Sequence, residues 1–234
     1  MVNLTKGHIK GLKTYKEVKE EIDSYYNNQK EIKKEEKEAD EVSAEIYAIL
    51  KDQEFEFSIT TLQEYHKKLF HNLEKTVYNA GKFRQYNVTK EEEILGGETV
   101  FYVPFQKIIE TLRYDFSEEK TMNYDKMTNE EVLDRITEFS SRIWQVHPFQ
   151  EGNTRTTAVF IQKHLMSRGY EVNNEIFKEN AKYYRNALVR ANYSNRNKGV
   201  EEDKSYLRDF YDNLLNHSNH ELENNKIKIN RGRK

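Results

Sequence analysis

The residues most suited to chemistry lie in one short stretch, HPFQEGNTR, at residues 147–155. His147 is neutral near pH 7 at its ordinary pKa and can take a proton from an attacking hydroxyl group. Glu151 can bind a divalent cation, because one carboxylate together with phosphate oxygens is the usual coordination of Mg²⁺. Arg155 can pair with a phosphate through charge-assisted hydrogen bonds. The three side chains together predict phosphoryl or nucleotidyl transfer.

Each of these residues also has a structural explanation. A histidine before a proline, such as His147, often serves only as a hydrogen-bonding group. A glutamate near a helix start, such as Glu151, compensates the helix dipole, and Asn153 can act as an N-cap. Capping alone does not explain the combined order of His, Pro, Phe, Glu, Gly, Asn and Arg, so the sequence favours a chemical role.

The stretch is predicted to be a loop that runs into the N-terminus of a buried helix. Pro148 disfavours α-helical dihedrals at His147, and Gly152 interrupts any helix across the stretch. Apolar side chains at helical spacing predict a helix that begins near Thr154. The first N–H groups of a helix have no intrahelical partner and carry the positive end of its dipole. The backbone of Gly152, Asn153 and Thr154 is therefore predicted to wrap an anion such as phosphate.

Composition predicts a folded and mostly helical protein. The 234 residues include only 9 glycines and 2 prolines, and 36% hydrophobic residues are enough to close a core. A net charge of −2 predicts no global attraction to nucleic acid or membrane, and the absence of cysteine excludes disulfides and thiolate metal sites. Only the basic C-terminal tail supports a nucleic-acid partner, because the body has no basic stripe.

The sequence also bears on localisation. No apolar run approaches the roughly 18 residues of a spanning helix. The first residues lack the apolar core of a signal peptide. These features predict a cytoplasmic protein, or one exported by a specialised route that leaves no readable signal.

Amphipathic helices are predicted for most of the chain. Residues 15–50 form a charged helical stretch, and a further helix begins near a cap at Ser58 or Thr60. Thr128 and Glu131 have capping-box spacing before the helix that leads to the loop. The tail KIKINRGRK is predicted to be frayed.

The segment between Tyr78 and Pro104 has a different period. Its runs YNVT and TVFYV flank a Gly96-Gly97 turn and predict a short, irregular hairpin. Such a hairpin is commonly an ordinary surface connection, so its function depends on what it lies beside.

The whole chain is predicted to be mainly α, a helical bundle with a small β-hairpin flap. The predicted segments are an N-terminal helical extension packed on the core (1–57), the core itself (58–205) and a C-terminal helix with the basic tail (206–234). We expect them to form one structural unit.

HPFQEGNTR also resembles the signature of the Fic (filamentation induced by cAMP) family, written HPFx(D/E)GN(G)RxxR. GKFRQYNV and EILGGETVFYVP look like the strand and flap of that family, ITEFSSRIWQVHPF is similar to the helix before the motif, and YYRNALVRAN resembles its later nucleotide-contacting helix. The resemblance covers about residues 58–195 and implies a Fic-like helical bundle. It implies a protein adenylyltransferase, which transfers AMP from ATP to a Tyr, Thr or Ser hydroxyl of a target protein, its own side chains included.

Position by position, the resemblance implies that His147 deprotonates the incoming hydroxyl. Glu151 would hold Mg²⁺ on the α- and β-phosphates, while the Gly152–Thr154 backbone and Arg155 would bind phosphate. Phe149 would pack under the loop. The implied cofactor is Mg²⁺, with ATP as co-substrate.

Other implied contacts lie outside the signature. Tyr184 and Asn192 fall where family members contact adenosine. Ile94, Leu95 and Gly96 would lie in the flap, where an extended target segment pairs by main-chain hydrogen bonds. The implied partners are ATP and a protein docked on the flap, self-association is left open, and no membrane is expected.

The sequence departs from the signature at two positions. Thr154 replaces the common glycine but keeps its N–H group, provided that its φ stays in an ordinary region. Ala158 stands where the family has a second arginine, which orients the γ-phosphate. A different donor group, such as UMP, phosphocholine or phosphate, therefore remains an alternative, as does a non-catalytic nucleotide- or protein-binding module.

Overall fold

A computed structural model describes residues 13–27 and 34–229. The chain groups into two compact units, Met1–Lys82 and Phe83–Lys234. The predicted boundaries at residues 57 and 205 stay a prediction. Parts of the predicted stretch 15–50 and of the basic tail lie outside the described residues.

The first unit is helical. Its elements are α1 (Tyr15–Asn27), α2 (Lys34–Lys51), α3 (Ile59–Phe70) and the single turn α4 (Lys75–Tyr78). Helices α1 and α2 pack through a small apolar cluster that includes Val18, Ile22 and Ala44. Ser58 caps α3 as predicted, since its hydroxyl oxygen accepts a hydrogen bond from the Thr61 N–H at 3.1 Å.

The second unit is also mainly α, as the composition predicts. Its helices are α5 (Ile108–Lys120), α6 (Asn129–Val146), α7 (Asn153–Ser167), α8 (Asn174–Glu179), α9 (Ala181–Ala191), α10 (Ser205–Leu215) and α11 (Asn224–Ile227). Helix α6 lies at its centre, because it packs against α5, α7, α9 and α10. Within residues 13–27 and 34–229, no helix has both the length and the apolar character needed to cross a bilayer.

Helix α6 follows from local signals in the sequence. The Thr128 hydroxyl accepts the Glu131 N–H at 3.3 Å, and the Glu131 carboxylate accepts the Thr128 N–H at 2.8 Å, which completes the predicted capping box. The predicted apolar face is buried, namely Val132, Ile136, Phe139 and Ile143. The helix ends at Val146, so the loop before α7 starts from the centre of the unit.

The predicted β-hairpin is not formed. All residues from 79 to 104 are described, and none of them belongs to a strand. One antiparallel bridge joins Glu92 to Glu98 around a short 3₁₀ turn. We call residues 92–98 the flap loop.

A side chain joins the two β-rich runs where a strand ladder was predicted. The guanidinium group of Arg84 donates hydrogen bonds to the carbonyl oxygens of Tyr86 and Val103, one from each run. These oxygens are therefore engaged by a cation instead of by the N–H groups of a neighbouring strand. The runs are tied together by Arg84 and not by a ladder.

Candidate functional site

A cavity of about 420 Å³ opens at the start of α7. It is lined by His147, Glu151, Gly152, Asn153, Thr154 and Arg155, together with Lys90, Trp144, Ala181, Lys182 and Arg185. The structure therefore brings the predicted residues of the HPFQEGNTR stretch to one place and adds basic side chains from elsewhere in the second unit.

His147 is buried in this wall, with 3% of its surface exposed. Its ring lies against Tyr102, with centroids 4.1 Å apart, and meets Trp144 edge-on at 5.5 Å. Among the described residues, neither ring nitrogen has a hydrogen-bond partner. Burial, followed by the positive charges of Lys90 and Arg84, lowers the pKa of His147 well below its ordinary value of 6.5. The imidazole is therefore neutral at pH 7 and able to accept a proton.

Arg84 holds the backbone on which His147 sits. Its Nε donates to the His147 carbonyl at 2.7 Å and its Nη2 to the Val146 carbonyl at 3.2 Å, while its own N–H donates to the Pro148 carbonyl at 2.8 Å. The last carbonyls of a helix lack intrahelical partners, so these bonds satisfy the end of α6. They also fix His147 in the left-handed region (φ 48°, ψ 55°), which costs a non-glycine residue about 1–2 kcal/mol.

The second half of the loop is fixed by Asn153. Its side-chain oxygen accepts the Phe149 N–H at 2.9 Å, and its side-chain nitrogen donates to the Phe149 carbonyl at 2.8 Å. Gly152 caps α7 with a φ of 80°, which favours glycine. The bond from the Thr156 N–H to the Gly152 carbonyl at 3.0 Å begins the hydrogen-bond ladder of α7, so the N–H groups of Asn153 and Thr154 precede that ladder. They can bind an anion.

Thr154 fits the place of the glycine in the signature. The φ of Thr154 is not positive, so the backbone at this position does not require glycine. Its hydroxyl accepts a hydrogen bond from Trp144 Nε1 at 2.9 Å. Trp144 thus contacts both His147 and the first turn of α7.

The charges around the cavity favour an anionic ligand. Of the side chains that line it, Lys90, Arg155, Lys182 and Arg185 are basic and Glu151 is acidic. Lys90 Nζ lies 2.6 Å from Glu151 Oε1. Low-dielectric walls lined by one sign of charge concentrate ions of the opposite sign, so a ligand with several negative charges suits this cavity.

Glu151 is the carboxylate that could hold a metal here. Within the described ranges, no group of three or more His, Cys, Asp or Glu side chains is placed to bind an ion. Mg²⁺ commonly uses one or two carboxylates plus phosphate oxygens and water. The residues therefore fit Mg²⁺ only together with a phosphate-containing ligand, and only after Glu151 is released from Lys90.

A model of the Fic/DOC family matches residues 56–165, which include the whole HPFQEGNTR stretch. This segment belongs to the Fic/DOC family. No curated protein sequence matches the chain.

Solved structures share the fold of this Fic domain at low sequence identity. The N-terminal Fic domain of Bep8 from Bartonella sp. 1-1C is 18% identical, with 81% of this chain and 88% of that chain covered and a TM-score of 0.61. BepC from Bartonella tribocorum with bound AMPPNP is 18% identical, with 78% and 86% covered and a TM-score of 0.60. The N-terminal Fic domain of a Bartonella quintana protein with bound ADP is 21% identical, with 78% and 84% covered and a TM-score of 0.60.

Two residues expected to contact adenosine lie outside this cavity, in the second unit. Tyr184 is buried against α10, where its hydroxyl lies 2.9 Å from that of Tyr211. The Asn192 side chain accepts a hydrogen bond from the Ser141 hydroxyl at 3.1 Å, inside the helical core. Neither residue lines the cavity, both take part in packing contacts, and the adenosine contact stays a prediction.

The residues of α9 that do line the cavity have a signal in the sequence. Lys182 and Arg185 are three positions apart, so they share a helix face opposite the buried Tyr184. Lys90 and Arg84 have no comparable signal, because each reaches partners that are about sixty residues away in sequence.

The flap loop has a partner within the chain. Ile94 and Leu95 are buried, and Gly96 has a φ of 69°. The Ile94 carbonyl accepts a hydrogen bond from the Ile229 N–H at 3.0 Å. One main-chain acceptor of the flap loop is thus bonded to the C-terminal segment, and of the predicted frayed tail only residues 226–229 are described.

Proposed function

We propose that this Fic domain transfers AMP from ATP to the hydroxyl group of a Tyr, Thr or Ser side chain of a target protein, its own side chains included. The observation that carries the proposal is the position of the neutral, buried His147 in the same cavity as the N-terminus of α7 and several basic side chains. The structures of BepC with AMPPNP and of the Bartonella quintana domain with ADP support a nucleotide as the ligand.

The proposed step is a displacement at the α-phosphorus of ATP. The hydroxyl oxygen bonds to this phosphorus, the bond from the phosphorus to its bridging oxygen breaks, and pyrophosphate leaves. His147 takes the hydroxyl proton. The N–H groups at the start of α7 and the Arg155 guanidinium stabilise the negative charge on the phosphate. Glu151 would hold Mg²⁺ against the phosphate oxygens, and the bound cation neutralises charge there.

A target segment would dock on the flap loop by strand addition. Because the Ile94 carbonyl is bonded to Ile229, a target that pairs with this carbonyl displaces the C-terminal segment. The target hydroxyl must then reach His147.

One observation favours a second candidate. Ala158 removes the arginine that orients the γ-phosphate in the family, so the site could use another donor of UMP, phosphocholine or phosphate. A non-catalytic binding module would bind nucleotide and transfer nothing.

Labelled ATP separates AMP transfer, phosphate transfer and ATP binding without transfer. The purified protein is incubated with Mg²⁺ and ATP that carries label on either the α- or the γ-phosphate, and protein-bound label is counted. The proposal predicts label from α-labelled ATP alone. Protein label from γ-labelled ATP alone would indicate phosphate transfer instead of AMP transfer. Binding of ATP without protein label from either form would favour a binding module.

The structure predicts different effects for two residues that the sequence assigned to nucleotide binding. Arg155→Ala removes a charged phosphate contact and should weaken ATP binding about ten-fold or more. Tyr184→Phe removes only the hydroxyl bonded to Tyr211, so ATP affinity should be unchanged while the free energy of unfolding falls by about 1 kcal/mol. Calorimetric titration with ATP and denaturant unfolding measure the two quantities. A weaker ATP affinity in Tyr184→Phe would support the predicted contact between Tyr184 and adenosine.

Lys90 is predicted to compete with Mg²⁺ for Glu151. The ammonium group lies 2.6 Å from the carboxylate in a pair that is partly exposed. Such a pair contributes up to about 1 kcal/mol, so Lys90→Gln should lower the Mg²⁺ concentration for half-maximal ATP binding by up to about five-fold. Titration of Mg²⁺ at fixed ATP measures the shift, with Lys107→Gln on the exposed start of α5 as the matched control. A higher Mg²⁺ requirement in Lys90→Gln would contradict this role.

A further inference from the structure

Helix α7 offers one arginine to the cavity. Arg155 lies in its first turn, and the position of the second arginine in the Fic signature is Ala158. Helix α9 lines the same cavity with Ala181, Lys182 and Arg185. We propose that Arg185 supplies the missing guanidinium contact, from α9, to the phosphates beyond the α-phosphate of the bound nucleotide. The inference rests on the proposed nucleotide-binding function.

A buried carboxylate holds the guanidinium group of Arg185. Nη1 lies 2.7 Å from Glu92 Oε2, and Nη2 lies 2.9 Å from Glu92 Oε1. Glu92 is 1% exposed, and its N–H is bonded to the Glu98 carbonyl at 2.9 Å, so the carboxylate is fixed by the flap loop. A side chain that is already oriented loses less conformational entropy when it binds a ligand.

The pair with Glu92 leaves donors for a second acceptor. A guanidinium group has five N–H donors. The fork to Glu92 uses one donor on each Nη atom and leaves the Nε–H and the second N–H of each Nη outside this pair. The Arg185 side chain is 42% exposed, so its open side can meet phosphate oxygens while Glu92 remains bonded.

The charge of Arg185 acts at the site. It is one of the cations that lower the pKa of His147. The position of Arg185 therefore suits an anion that reaches from the first turn of α7 towards α9. A purely structural role, in which Arg185 only anchors the flap loop through Glu92, gives a different pattern of nucleotide affinities.

Three nucleotides that differ in phosphate number separate the two roles. AMP, ADP and ATP are titrated calorimetrically, with Mg²⁺, into the full chain and into the double variant Glu92→Gln/Arg185→Gln. The double variant is chosen because Arg185→Gln alone leaves Glu92 buried without its cation. We expect ATP affinity to fall about ten-fold and AMP affinity to be unchanged. The matched control Glu92→Gln keeps the guanidinium group and should retain ATP affinity.

The other outcomes overturn the inference. An equal loss for AMP and ATP would mean that Arg185 only anchors the flap loop. An unchanged ATP affinity in the double variant would refute the phosphate contact directly, provided that Trp144 fluorescence shows a folded protein. If the wild-type chain binds none of the three nucleotides, the proposed function fails as well, and that result is distinct from a loss confined to the variant.

Discussion

Arg84→Ala is expected to lower the free energy of unfolding of the second unit by about 3–5 kcal/mol. The Arg84 guanidinium donates to the carbonyl oxygens of Tyr86, Val103, Val146 and His147. Each buried acceptor left without a donor costs about 1–3 kcal/mol, and entering water recovers part of this. The same change frees the left-handed backbone at His147, so we expect AMP transfer to be lost together with stability.

The chain contains a probe for this prediction. Trp144 is the single tryptophan and is buried beside His147, so its fluorescence during denaturant unfolding reports on the site. Arg84→Lys keeps the charge but lacks the planar guanidinium group. Its free energy of unfolding should therefore lie between those of wild type and Arg84→Ala. Arg113→Ala, on the exposed face of α5, is the matched control and should change stability by no more than about 0.5 kcal/mol. A small effect of Arg84→Ala, equal to that of Arg113→Ala, would show that the Arg84 hydrogen bonds to these carbonyl oxygens contribute little to stability.

His147→Asn is expected to lower the rate of AMP transfer by about 10²–10⁴-fold while ATP affinity is kept. The asparagine side chain is close to imidazole in size and polarity but cannot accept the hydroxyl proton at neutral pH. In the proposed binding mode, ATP contacts the N-terminus of α7 and the basic side chains, which the substitution leaves in place. A parallel loss of ATP affinity would assign His147 to binding instead of proton transfer.

The pH profile tests the same residue in the wild-type protein. The pKa of His147 lies well below 6.5, so the base stays neutral as the pH falls from 7 to 6.5. The transfer rate should therefore stay constant between these two pH values. Lys90 is the first of the cations that lower this pKa, so Lys90→Gln should raise it and move the acidic decline to higher pH. Arg113→Gln should leave the profile in place. An acidic decline at the same pH in Lys90→Gln and wild type would show that the charge of Lys90 does not act on His147.

The depressed pKa also affects stability. Below pH 6.5 the unfolded chain binds a proton at His147 that the folded chain does not bind until lower pH. The free energy of unfolding therefore includes a contribution from His147 that is complete above pH 6.5 and declines as the pH falls below it. His147→Asn should remove this part of the pH dependence.

Local sequence signals were sufficient for the helices that carry the site. The capping box of Thr128 and Glu131 sets the start of α6, and the Pro148 and Gly152 positions place a loop before α7. These signals act within a few residues, so they can be read without knowledge of packing. The place of the HPFQEGNTR residues in the cavity could therefore be predicted from these local signals.

The remaining parts of the site depend on distant contacts. Arg84 binds the His147 carbonyl across 63 residues of sequence, and its guanidinium also bonds the Tyr86 and Val103 carbonyls, where a hairpin was predicted. No short-range sequence pattern predicts such a partner. Tyr184 and Arg185 are adjacent in sequence, yet packing against α10 buries the first and leaves the second at the cavity. The face of α9 that meets the cavity was thus set by the helix it packs against.

The most direct test of AMP transfer by His147 is intact-mass analysis of the purified full chain after incubation with ATP and Mg²⁺, with wild type and His147→Asn side by side. We expect the wild-type chain to gain one AMP moiety on its own hydroxyl groups and the variant, which still binds ATP, to gain none. An equal gain in both proteins would remove His147 as the base, and the absence of any gain in wild type would contradict AMP transfer to the chain itself.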